Sequence, residues 1–93
     1  MTNYAALGEF TAYSRQAKDA ASRRFALLHN LSNTLRRQSE DPLIPFAEDK
    51  LQAEVAEIAS ADAEMRAALE RANQAAALCG ERPLALSKLH AWE

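Results

Sequence analysis

The chain has 93 residues, 48% of them apolar and 26% charged, with a formal charge of −2, which leaves room for one small domain. Alanine supplies 21 of the apolar residues, so only 23 large apolar side chains and one cysteine remain, a thin core for a stable monomer. Two glycines and three prolines are too few for collagen and argue against an all-β sandwich, and the composition is not that of a disordered tail.

Charge is divided along the chain. Residues 1 to 39 hold six bases and two acids, a balance of +4, and residues 40 to 80 hold nine acids and three bases, a balance of −6. Opposite charge on consecutive segments of similar length favours their lying side by side, and it sets orientation more than stability.

The first element is a helix over about residues 3–38, with Thr2 or Asn3 available as its cap. Tyr4, Leu7, Phe10, Ala17, Ala21, Phe25, Leu28, Leu31 and Leu35 recur in steps of three and four or their sums, the spacing of one helix face. At about 1.5 Å per residue such a helix is on the order of 50 Å long, which predicts a rod. The turn over 39–45 contains Pro42 and Pro45. Each lacks an amide proton and crowds the preceding turn, so a regular helix cannot pass through both. Leu43, Ile44 and Phe46 are expected to plug the end of the bundle.

The second helix, about 46–79, begins with Pro45 in its first turn and with Glu48 and Asp49 at the positive end of its dipole. Leu51, Val55, Ile58, Asp62, Met65, Leu69, Ala72, Ala76 and Cys79 follow one another by fours and threes, a heptad seam that implies knobs-into-holes packing. Gly80 supplies a left-handed stop and Pro83 follows it. Residues 81–93 predict a short third helix with Leu86, Leu89 and Trp92 on one side. The fold class is therefore all-α: a long antiparallel, coiled-coil-like hairpin with a short C-terminal helix, one domain over 1–93, dimerising into a four-helix bundle. Leu51, Val55, Ile58, Met65 and Leu69 are the seam and candidate oligomer interface.

Asp62 stands in an otherwise apolar seam, where a carboxylate is costly unless paired. In an antiparallel hairpin turning near residues 42 and 43, opposed positions have numbers that sum to about 85, which sets Asp62 across from Arg23 or Arg24. Arg24 shares the helical stripe of Phe10, Ala17 and Leu31 and is the expected partner in a structural ion pair, while Arg23 is expected to point away. The competing reading has Asp62 bridging Arg66 one turn along its own helix.

Arg15, Lys18, Arg23, Arg36 and Arg37 form a candidate basic surface on helix 1. It has no interleaved aromatic residues of the kind that stack single-stranded bases, and an ordinary solvated face is the plainer reading. The acidic overall balance also argues against general nucleic-acid affinity. His29 and His90 lie in no metal-ligand spacing. Cys79 has no nucleophile context and is expected to be a packed thiol near Leu7. Glu54, Glu57 and Glu64 lack the histidines of a di-iron bundle, and no glycine-rich phosphate loop or GxSxG is present.

The expected function is a non-enzymatic structural or protein-interaction module, an adaptor or small chaperone-like hairpin, with a second copy or a helical protein as partner. The alternative is a nucleic-acid-associated regulator using the basic face of helix 1. A ligand-binding or enzymatic bundle using Glu54, Asp62 and Arg24 is a third possibility. No cofactor, metal, membrane or small-molecule substrate is expected. The single cysteine, the lack of a signal-peptide pattern and the lack of a long apolar run fit a cytoplasmic protein.

Overall fold

A computed structural model describes residues 3–89. Two helices, α1 (Tyr4–Glu40) and α2 (Glu48–Cys79), pack antiparallel as a hairpin, followed by a single 3₁₀ turn, Leu86–Lys88. Among the described residues every regular element is helical. The molecule measures 65 × 24 × 13 Å, with a radius of gyration of 17.6 Å, against about 12 Å for a compact domain of this length. It is a rod one helix thick.

Asn3 caps α1, its side-chain oxygen accepting from the Ala6 amide at 3.0 Å. Between the helices, Asp41 organises the turn: its side chain accepts from the Leu43 amide at 3.0 Å and its carbonyl from the Ile44 amide at 3.2 Å. Helix α2 starts at Glu48, three residues beyond Pro45, on Ala47, which offers no capping side chain. Glu48 and Asp49 occupy its first turn, where negative charge faces the helix's positive end. Gly80 closes α2 at φ 77°, and the Glu81 amide returns to the Ala76 carbonyl at 3.1 Å.

The residues that face inward on α1 are Ala6, Phe10, Tyr13, Ala17, Ala20, Arg24, Leu27, Leu31, Thr34 and Gln38, alternating by four and three. This corrects the phase expected from hydropathy. Phe25, Leu28 and Leu35 belong to the neighbouring row and remain 46%, 37% and 46% exposed, and Tyr4 is exposed as well. On α2 the inward row is Leu51, Glu54, Ile58, Ala61, Met65, Ala68, Ala72, Ala75 and Cys79. Val55, Asp62, Leu69 and Ala76 form the adjoining row, in which Ala76 is buried and Leu69 packs against the core as the seam predicts, whereas Val55 is 53% exposed. Small side chains let the helices approach closely, so larger ones are displaced to the flank. The buried set among the described residues accordingly consists of alanines with Met65 and Leu89.

Two further expectations are corrected. Leu43, Ile44 and Phe46 do not plug the bundle end. All three are exposed, Leu43 at 89%, and Ile44 lies along a groove with Thr34 and Gln38 of α1 and Leu51 of α2 instead of closing the end. Among the described residues the C-terminal segment forms one 3₁₀ turn in place of the expected short α-helix, because the Leu84 backbone is bound to the Asn73 side chain and Ala85 is extended. Trp92, His90 and the alternative cap Thr2 lie outside the described residues.

Candidate interaction surface

The C-terminal segment runs back along the groove between the two helices on one broad face. Asn73 of α2 holds it in a two-point contact: its side-chain oxygen accepts from the Leu84 amide at 2.7 Å and its side-chain nitrogen donates to the Leu84 carbonyl at 3.1 Å. An asparagine side chain thus reads the backbone of the tail as a neighbouring strand would. Leu89 then inserts against Ala17, Ala20, Met65 and Ala68 and is 3% exposed. The tail covers the half of the face near the open end of the hairpin. Leu84 lies beside Phe10, Ser14, Arg15 and Lys18, where the buried Ser14 hydroxyl finds no hydrogen-bond partner among the described residues.

Among the described residues none covers the groove beyond Leu89. A depression of about 570 Å³ is lined by Ala21, Arg24, Phe25, Leu28, Met65 and Arg66 on the helices and by Leu86, Ser87 and Leu89 of the tail. Phe25 stacks on His29 with ring centroids 6.0 Å apart. Toward the turn, Leu35 on α1 and Val55 on α2 extend this apolar strip, because they occupy the same displaced rows as Leu28 and Asp62. Hydropathy detected these residues and assigned them to the wrong contact.

A charged layer crosses the floor of the groove. Arg24 Nε donates to Asp62 Oδ1 at 2.8 Å, and Arg66 Nε donates to Asp62 Oδ2 at 2.9 Å. The interhelical and the intrahelical pairing of Asp62 are both present, one on each carboxylate oxygen. Asp62 sits in the flanking row, so the layer is only partly shielded, with Arg24 and Asp62 side chains 39% and 30% exposed. The hydrogen bond from Arg66, with the charge of Arg66 and the bond and charge of Arg24, holds the Asp62 carboxyl below its ordinary value against an opposing effect of burial.

Arg23 does not point away. It crosses the opposite face of the hairpin to pair with Glu64, whose carboxyl is lowered by that hydrogen bond and then by the Arg23 charge. Arg71 stands over the Tyr13 ring at 5.6 Å on the same side. The other bases of helix 1 are dispersed. Arg15 and Lys18 line the groove beside Leu84, Arg36 donates to Asn33, and Arg37 lines a groove at the turn with Lys50. Cys79 is half-buried, its thiol directed to the Ala76 carbonyl at 3.8 Å. Among the described residues no three His, Cys, Asp or Glu side chains are grouped to hold a metal ion, and no helix is long and apolar enough to cross a membrane.

Comparison of the chain with protein families, curated proteins and solved structures returned no match.

Proposed function

We propose that this protein is a non-enzymatic helical-hairpin interaction module, adaptor-like or small-chaperone-like and cytoplasmic, whose tail-bearing face receives a second layer of helices. A second copy of the chain is the simplest occupant, giving a four-helix bundle. The observation that carries this reading is the 13 Å thickness of the molecule combined with an apolar strip on one broad face. Domains bury their apolar faces between two packed layers, and this chain supplies one layer and part of another. Its own buried core is almost wholly alanine, and alanine burial returns little per residue against roughly 1.5 kcal/mol of ordering entropy. Covering Leu28, Leu35 and Val55, which are 37%, 46% and 53% exposed, would add the large side chains that the seam lacks.

The alternative of nucleic-acid binding draws less support, because phosphate binding needs concentrated positive charge and the helix 1 bases are divided between faces and partners. Sedimentation equilibrium between about 1 and 100 µM tests the proposal. A dimer, or a larger closed oligomer, supports it, and a stable, fully helical monomer throughout that range refutes the homotypic form.

A further inference from the structure

The connector between the helices, residues 41–47, reads Asp-Pro-Leu-Ile-Pro-Phe-Ala. Asp41 and the two prolines are ordinary turn residues, whereas Leu43, Ile44 and Phe46 are not. Its backbone is held. The Asp41 side chain accepts from the Leu43 amide at 3.0 Å, the Asp41 carbonyl accepts from the Ile44 amide at 3.2 Å, and Gln38 Nε2 donates to the Pro45 carbonyl at 3.3 Å. Both prolines fix their own φ. Ile44 lies along the groove beside Gln38 and Leu51, and Leu43 and Phe46 project at 89% and 68% exposure.

Covalent reach separates this end of the rod from the residues beyond Leu89. Leu89 packs level with Ala20, and Gln38 lies eighteen residues further along α1, about 27 Å away. Residues 90–93 add at most about 14 Å of backbone, which falls short of Gln38 even with a side chain at its end. Residues 1 and 2 precede α1 at the opposite end. The exposure of Leu43 and Phe46 therefore depends on neither.

We propose that the turn is a docking knob, whose Leu43 and Phe46 insert into an apolar cleft on a different protein, rimmed by Lys and Arg. This surface is distinct from the tail-bearing face, and the proposal holds whether or not that face self-associates. Two large apolar side chains projecting from the narrow end of a rod fit a concave site, and a backbone fixed beforehand lowers the ordering cost of insertion. Charge decides the rim. Between residues 36 and 57 stand the bases Arg36, Arg37 and Lys50 and the acids Glu40, Asp41, Glu48, Asp49, Glu54 and Glu57, a balance of −3. The C-terminal end of α1 and the N-terminal end of α2 meet here, so their dipoles offset each other. Glu40, Asp41, Glu48 and Asp49, which flank the apolar residues directly, are all exposed, and among the described residues none of the four is in an ion pair. A second copy meeting turn to turn would set like charge against like, and an anionic bilayer would repel the same acids.

The test is photo-crosslinking in the native host, with benzoylphenylalanine in place of Leu43, of Phe46 or, as a control, of Ala77, which is exposed at the far end of α2. One protein is expected to be captured from positions 43 and 46 and not from 77, through a peptide whose apolar residues are flanked by Lys or Arg. With that protein purified, Leu43→Asp and Phe46→Asp are each expected to raise the dissociation constant about tenfold or more while helicity is retained, since both side chains are exposed in the single chain. Glu40→Lys, a charge that suits the C-terminal end of a helix, is expected to raise it too, and added salt to weaken the native complex. Capture at neither position, capture of a second copy or of lipid, capture through an acidic peptide, or an affinity indifferent to Leu43→Asp and Phe46→Asp overturns the proposal. Self-association through the tail-bearing face is read separately, by sedimentation.

Discussion

Leu89→Ala probes whether the tail is part of the folded core. The substitution removes three carbons from a side chain that is 3% exposed and packed on Ala17, Ala20, Met65 and Ala68. At about 0.8 kcal/mol per buried methylene the transfer contribution is roughly 2.4 kcal/mol, and unfilled space adds to it. A short tail can settle toward the gap more easily than a helix can, so the expected loss lies near 2 to 3 kcal/mol, the lower part of the range for buried leucines. Urea unfolding followed by helicity, at fixed protein concentration, gives the stability change. Hydrogen exchange at the Leu84 amide, which donates to Asn73 at 2.7 Å, reports locally on tail docking and should accelerate in the variant. A change below about 0.5 kcal/mol with Leu84 protection intact would refute the claim that Leu89 anchors the tail and completes the core, because surface substitutions fall in that range.

Gly80→Ala should cost about 1 to 2 kcal/mol by urea unfolding, since φ of 77° is the left-handed region and an added Cβ meets no atom within 4 Å, leaving backbone strain as the cause. In a double-mutant cycle on Arg24→Leu and Asp62→Leu, the Asp62 change should be the more harmful single substitution, because it strands two arginines whereas loss of Arg24 leaves Asp62 with Arg66; the double variant should be less harmed than the sum of the two, and strict additivity would show that the pair does not interact. The carboxyls of Asp62 and Glu64 are lowered from ordinary values of 3.8 and 4.5, so their contribution to stability is fully present above those values and disappears as pH falls through the lower folded-state values. Acid titration of unfolding should therefore show stability falling below about pH 5, with a shallower fall in Asp62→Asn; an unchanged slope would contradict the pairing.

The helices, the break at Pro42 and Pro45 and the Gly80 stop are legible in the sequence because each rests on local chemistry: periodicity, a missing amide proton, and a residue that tolerates positive φ. The juxtaposition of Arg24 and Asp62 is legible for another reason, since two charges in apolar rows have few registers in which to meet. The phase of α1 is not. Hydropathy weights Phe25, Leu28 and Leu35 above Ala6, Ala17 and Ala20, whereas close packing of two helices selects the smaller side chains for the contact. Arg23 was misplaced for the same reason: a stripe drawn through the large residues turns it outward, and the actual inward row brings it to Glu64. Asn73 left no signal at all, because a side-chain amide that holds a backbone has no periodicity, and without that contact the tail could be read only as another helix.

On the function proposed above, an alanine-lined hairpin one layer thick is completed by association on its tail-bearing face. Thermal unfolding measured across a hundredfold range of protein concentration tests it most directly, because association that stabilises only the folded state makes the midpoint depend on concentration. The midpoint is expected to rise steadily with concentration in the native chain and to rise much less in Leu35→Asp. A midpoint that is high and invariant with concentration in the native chain would show that the single hairpin is stable alone and would contradict the claim.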